Sequence, residues 1–142
     1  MLTAKAKYAL RALIELAKEE EARGGRPVMT SRIAERQNIP RRFLENILLD
    51  LSKQELVVSF RGKAGGYRLA RSADLISFAD IIRAIDGPLA LTPCTSRIAY
   101  QRCADCTDET VCSIRKTMIR VRNATADILQ ATTLADALNE TP

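Results

Sequence analysis

Between Leu56 and Arg71 the chain changes its hydrophobic period, and this constrains the fold more than any other feature. Up to about residue 53, apolar residues recur every three to four positions, as they do in helices. "LVVSF" (56–60) and "GYRLAR" (66–71) are instead short β-rich runs. Between them "RGKAG" is a basic turn whose glycines permit positive φ. The two runs predict a β-hairpin with Arg61 and Lys63 on or beside its tip.

The segments before the hairpin give it meaning. Residues 4–22 read as an amphipathic helix, with Leu10, Leu13, Ile14 and Ala17 on one stripe and "RGGRP" (23–27) as its stop. A second helix begins near Thr30 or Ser31, either of which can cap it, and covers "SRIAERQ". Asn38 and Ile39 make a turn, and Pro40 suits the first turn of a third helix over roughly 40–53. Leu44, Ile47, Leu48 and Leu51 form the inner face of that helix. Arg42, Glu45 and Asn46, with Arg41 beside them, form the outer face. Two short helices joined by a tight turn suggest a helix-turn-helix, and a basic hairpin directly after it makes a winged helix. The expected fold is mainly α with a small β-hairpin wing, followed by a long C-terminal dimerisation helix.

Charge supports a polyanionic partner. Through Arg71 the chain carries fifteen lysines and arginines against eight carboxylates; the remainder carries seven against nine. Double-stranded DNA is the expected partner. In the third helix Arg41, Arg42, Glu45 and Asn46 are candidates for base edges or nearby phosphates, since Arg suits guanine, Asn adenine and Glu cytosine. Lys5, Thr30 and Ser31 are phosphate candidates. Arg61 and Lys63 in the wing reach the backbone or minor groove.

The second half divides differently. "SFADIIRAIDGP" (77–88) predicts a short helix that Ser77 and Asp80 open with a capping-box pattern and Gly87–Pro88 stop. A long helix follows from about Asp108 to Thr132. Its Ile114, Met118, Val121, Thr125 and Ile128 alternate spacings of four and three, a heptad seam. The seam covers about two heptads, so it fits a face within the chain as well as an intersubunit one. A DNA reader of this size favours the second, a homodimer on a pseudo-palindromic operator. The expected domains are 1–75, a winged helix-turn-helix DNA-binding domain, and 76–142, a sensor loop with the dimer helix. No apolar run approaches 18 residues, and the N-terminus is interrupted by charges, so a cytoplasmic protein with no membrane attachment is expected.

"CADCTDETVC" (103–112) holds three of the four cysteines, and Cys94 lies nine residues upstream. The pattern C-x8-C-x2-C-x5-C sits in a loop able to wrap an inorganic centre, and Arg97, Arg102 and Arg115 are near enough in sequence to offset its negative charge. Four thiolates satisfy an iron–sulfur cluster without outside ligands. Tetrahedral zinc is a lesser alternative, because only Cys103–Cys106 forms a knuckle. A metal-free thiol switch, a regulator answering a small molecule or partner protein, and four unligated thiols also remain open. A thiol-disulfide oxidoreductase built on Cys103 and Cys106 fits poorly. The surroundings are not βαβ, and the chain has no histidine to act as a base.

"LTAKAKYALRAL", "IAERQNIPRRFLENILLDLSKQELVVSFRGKAGGYRLAR", "ISFADIIRAIDG" and "TTLADAL" together resemble the Rrf-two family of bacterial winged-helix transcription regulators, over nearly the whole chain. The resemblance implies no enzymatic activity. It implies a homodimer whose long C-terminal helices cross, and a DNA-binding regulator, commonly a repressor. It also implies that cysteines ahead of that helix ligate a 2Fe–2S or 4Fe–4S cluster whose iron–sulfur, redox or nitric-oxide state changes DNA affinity. Cys106 and Cys112 resemble the last two family cysteines. Cys94 resembles the first, at a longer spacing than is common. Cys103 is extra and stands as a fourth-ligand candidate. Tyr8 occupies the early position where some members carry an acidic ligand.

Overall fold

The computed structural model describes residues 2–140. The first helix, α1 (Ala4–Ala22), is capped by Thr3, whose hydroxyl accepts the Ala6 N–H at 3.0 Å. It runs through the middle of the molecule, touching four other helices and the wing. Its buried face is broader than the expected stripe: Ala6, Ala9, Ala12, Leu13, Leu16 and Ala17 are buried, while Leu10 and Ile14 lie half-buried at the margin. Small alanines on several sides let neighbours approach from several directions, which a single-face pattern does not anticipate. At its end Gly25, at φ +86°, donates its N–H to the Glu20 carbonyl at 2.8 Å.

The helix-turn-helix follows as α2 (Thr30–Gln37) and α3 (Arg41–Lys53). Met29 occupies the cap position of α2 without a side-chain hydrogen bond, so neither Thr30 nor Ser31 caps that helix. The turn rests on Asn38 in the left-handed region, φ 52°, a conformation that asparagine tolerates. Ile39 is buried beneath it. Pro40 stands one position ahead of α3, as its cap. Leu44, Ile47, Leu48 and Leu51 are fully buried, as their spacing predicts.

Strands β1 (Val57–Phe60) and β2 (Gly66–Leu69) pair antiparallel, Val57 opposite Leu69 and Phe60 opposite Gly66. The loop before α2 anchors this hairpin. Val28 and Tyr67 exchange backbone hydrogen bonds of 2.9 and 2.8 Å. Gly66 makes the close approach possible, because a Cβ there would lie 2.2 Å from the Val28 carbonyl oxygen.

After a 3₁₀ turn at Ala73–Leu75 comes α4 (Phe78–Asp86), with both hydrogen bonds of the Ser77–Asp80 capping box formed. The cysteine segment contains 3₁₀ turns at Pro93–Thr95 and Glu109–Val111. The long helix α5 is Ser113–Ala131 and starts later than expected, because residues 109–111 wind as a separate 3₁₀ turn and Cys112 caps the α-helix. A last helix, α6 (Leu134–Glu140), turns back onto α1. Leu134 donates to the Ile76 carbonyl at 3.0 Å, and its side chain joins Ile76 and Ile81 in the same core as α1–α3. No helix among the described residues is long and apolar enough to cross a membrane.

Candidate DNA-binding face and cysteine pocket

The buried leucines of α3 turn its opposite side outward, and Arg41, Arg42, Glu45 and Asn46 are all exposed there. Arg41 and Glu45 form an exposed ion pair at 3.3 Å. Leu49, one turn further on, is 51% exposed. Thr30 and Ser31 are half-buried in the first turn of α2. Lys5 is half-exposed and bound to Asp50 of α3 at 2.5 Å, a partner that a reading by local spacing does not find. Arg61 and Lys63 stand exposed in the hairpin turn, apart from the α3 face in sequence but on the element adjoining it. Arg68 lies over the Phe60 ring at 5.8 Å and 3.6 Å from Glu20.

Three carboxylates of α1 hold these elements, and sequence reasoning missed their role. Glu15 accepts from Arg36 at 3.0 Å and Gln37 at 2.9 Å, Glu19 accepts from Arg32 at 2.8 Å, and Glu20 accepts the Leu69 backbone N–H at 3.0 Å. Glu15 and Glu19 are buried. The Arg32 hydrogen bond, with further attraction from Arg32, Arg36 and Arg23, holds the Glu19 carboxyl below the usual carboxylate range against the opposing effect of burial. Helix α1 therefore grips both the first helix of the helix-turn-helix and the wing. The available signal was the acidic run "EEE" (19–21) on a helix otherwise facing a core.

The four cysteines line one open pocket of about 500 Å³, bordered by Thr92, Ile114 and Arg115. Cys94, on the Pro93–Thr95 turn, is buried, and its thiol is 3.6 Å from the Thr92 hydroxyl. Cys103 and Cys106 flank a turn closed by the Cys106 N–H on the Cys103 carbonyl at 3.0 Å. Cys112 caps α5, its sulfur accepting the Arg115 backbone N–H at 3.4 Å. The adjoining Cys94 thiol, with burial, pushes the Cys103 thiol up. All four thiols are free, and among the described residues no three Cys, Asp or Glu side chains converge as a formed metal site.

Of the three expected arginines, only Arg115 faces the pocket, and its Nε is buried with no hydrogen-bond partner. Arg102 instead donates to the Cys106 and Thr107 carbonyls at 3.3 and 3.1 Å, and Arg97 to Asn123 of α5 at 2.7 Å. Arg122 donates to the Thr95 carbonyl at 2.7 Å, fastening the Cys94 turn to α5. The pocket thus gathers soft donors beside an unpaired cation.

Along α5, Ile114 and Ile128 are 66% and 67% exposed, and Met118, Val121 and Thr125 are half-buried. Ala126 is the one buried residue of this helix.

Comparison with known proteins gives a consistent result. The family model "Rrf2: Iron-dependent Transcriptional regulator" matches residues 2–140. An rrf2-like HTH-type transcriptional regulator of Rhodobacter capsulatus is 46% identical over 138 residues, 97% of this chain and 92% of that protein. Among solved structures, CymR, the global cysteine regulator of B. subtilis, superposes with a TM-score of 0.80 at 32% identity, over 100% of this chain and 98% of its own. T. potens IscR superposes with a TM-score of 0.76 at 29% identity, over 99% and 87%.

Proposed function

Since the chain belongs to the Rrf2 family of transcriptional regulators, we propose that it is a cytoplasmic, homodimeric repressor whose DNA affinity is set by an iron–sulfur cluster in the cysteine pocket. Transcriptional regulation through DNA is the family's activity, and it is not enzymatic. This removes the oxidoreductase reading of Cys103 and Cys106.

Residues 1–75 read the operator. The α3 face enters a major groove, where Arg41, Arg42, Glu45 and Asn46 meet base edges or nearby phosphates, and Arg61 and Lys63 reach the backbone or minor groove from the wing. Thr30 and Ser31 contact phosphate at the start of α2, and Lys5 does so by exchanging Asp50 for the duplex. Residues 76–142 form the sensor and the dimer. Ile114, Met118, Val121 and Ile128 meet their copies across a two-fold axis, so two α3 helices address two half-sites of a pseudo-palindrome.

The single observation carrying the cofactor reading is that all four thiols line one pocket at the start of α5, beside the unpaired Nε of Arg115. The donor set fits an iron–sulfur centre: soft thiolates, no nitrogen competitor, and a cation for the surplus negative charge. Cys94, Cys106 and Cys112 are the ligands, with Cys103 the fourth. When bound, the cluster supplies a redox-active cross-link of fixed charge between the loop and α5. Arg115 donates into the pocket, and Arg97 and Arg122 keep the Cys94 turn on α5, so ligation is transmitted to the dimer helix. Regulation then requires only that the holo and apo dimers differ in DNA affinity.

Anaerobic reconstitution tests the reading, followed by iron and sulfide counting, visible absorption and operator binding. Wild type is expected to turn brown and Cys106→Ser and Cys112→Ser to stay colourless. Stoichiometric zinc in a colourless wild type would replace the cluster by a zinc site. One observation favours a metal-free second reading: the CymR fold, from a global cysteine regulator, superposes over the whole chain. Wild type that takes up no metal yet changes DNA affinity with a thiol oxidant, a small molecule or a partner protein would establish it.

A further inference from the structure

The cysteine segment doubles back on itself. Gln101 donates its backbone N–H to the Pro93 carbonyl at 3.2 Å, which returns the chain to the Cys94 turn two residues before Cys103. The Cys103 and Cys94 thiols consequently stand in hydrogen-bond contact, and Cys106 acts on Cys103 only through weaker, through-space charge. The two partners differ in access. Cys94 is 7% exposed and held from its far side by Thr92, whereas Cys103 is half-exposed at the rim. An accessible thiol beside a buried one is the arrangement of an attacking and a resolving cysteine. The segment between them is already closed by a backbone hydrogen bond, so a cross-link adds little loop-closure cost.

We infer that Cys94 and Cys103 form an oxidisable dithiol: in the cluster-free protein a hydroperoxide closes them into a disulfide, which withholds two of the four thiols from iron until a reductant reopens it. The dithiol stands on the geometry above, and its effect on iron rests on the cluster reading. The Cys103 thiolate attacks the O–O bond of hydrogen peroxide, giving a sulfenic acid and hydroxide, which combines with the proton the thiol released to form water. The Cys94 sulfur then attacks the Cys103 sulfur. The S–S bond forms, the S–O bond breaks, and the departing hydroxyl leaves with the Cys94 proton as a second water. Two thiols lose two electrons and one peroxide gains them. Closure is slow beside that of a dedicated peroxidase, because Cys94 keeps the Cys103 thiol protonated.

The sequence makes the product easy to map. Trypsin, cutting after Arg83, Arg97, Arg102 and Arg115, leaves Cys94 on peptide 84–97 and the other three cysteines together on peptide 103–115. Reduced, metal-free protein is treated anaerobically with equimolar hydrogen peroxide, alkylated, digested and mapped by mass spectrometry. Peptides 84–97 and 103–115 are expected joined, with fragmentation placing the bond at Cys103. Cys106→Ser retains the cross-link, Cys103→Ser loses it, and Cys94→Ser leaves a Cys103 sulfenic acid that dimedone traps. A bond confined to 103–115, a bond from Cys94 to Cys106 or Cys112, or no bond overturns the inference, and the half-exposed Cys103 variant decides it even should the buried Cys94 variant misfold. Oxidised wild type is then offered iron and sulfide beside a reduced control. No uptake until dithiothreitol is added supports the gating, and equal uptake by both forms overturns it. A cross-link in protein whose reduced control also refuses iron overturns the cluster reading and the gating together, and upholds the dithiol alone.

Discussion

Helices α1 and α5 have the same length, 19 residues each, and opposite surroundings. In α1, alanines at 6, 9, 12 and 17 leave room on several sides, and α2, α3, α4 and α6 fill it. In α5 the apolar residues are large and gathered on one seam, and the chain itself covers almost none of it. Small residues on many faces build a hub within one subunit, whereas large residues on one uncovered face call for something outside it. Burying an isoleucine as exposed as Ile114 or Ile128 stabilises by about 1.5–3 kcal/mol, so a two-fold pairing of α5 gathers enough apolar surface to matter. The two helices also carry charge differently. Helix α1 holds its buried carboxylates against arginines of α2, and α5 leaves Arg115 facing the thiols with its Nε unpaired.

The strongest way to break this comparison is to put charge on the uncovered helix. Val121→Asp places an unpaired carboxylate in the seam and is expected to cost the dimer about 4 kcal/mol. Sedimentation should show a folded monomer or unfolded chain; a dimer of ordinary stability would mean that α5 is covered some other way. In the hub, Leu13→Ala leaves a hole in the middle of α1 and should lower unfolding free energy by about 3 kcal/mol. Urea denaturation checks it, and a loss no larger than that of the α5 variant Ile128→Ala would erase the contrast. On the DNA side, Arg61→Ala touches neither helix. It should weaken operator binding by roughly tenfold or less and reduce the salt slope by about one. Anisotropy titrations at several salt concentrations measure both, and unchanged binding would remove Arg61 from the interface.

The smallest effect sharpens the electrostatic half of the comparison. Arg32 lowers the folded-state value of Glu19, so the stability it contributes is complete above the ordinary glutamate range and is lost as pH falls through Glu19's own lower value. Glu19→Gln should cost about 1 kcal/mol at neutral pH, because Arg32 and Arg36 are half-exposed and screened, and should flatten the acid side of the stability profile. Parallel urea midpoints at neutral and acid pH would reveal an unchanged slope and so exclude Glu19 as the cause.

Much of this molecule was legible in the chain, for local reasons. A helical period, a left-handed asparagine before Pro40, a glycine-rich basic turn and a Ser77–Asp80 pair each act within a few residues, and each forms its predicted element with shifts of a residue or two. The resemblance to the Rrf-two family rests on the same stretches, and it held. The later start of α5 and the uncapped Thr30 and Ser31 were not legible. Several local solutions compete at helix ends, and the surrounding packing chooses among them.

Sequence alone therefore determined the elements, their order, the family and the outward residues of α3 and the wing, because these follow from periodicity and turn chemistry over short distances. Tertiary structure decided what meets at long range. It gave Lys5 to Asp50, turned Glu15, Glu19 and Glu20 into the clamp on α2 and β2, folded α6 back onto α1, and brought Cys94 to the thiols that follow it by way of the Gln101–Pro93 hydrogen bond. These pairings depend on how whole elements dock, and docking is set by the summed burial of many side chains, which no local spacing encodes.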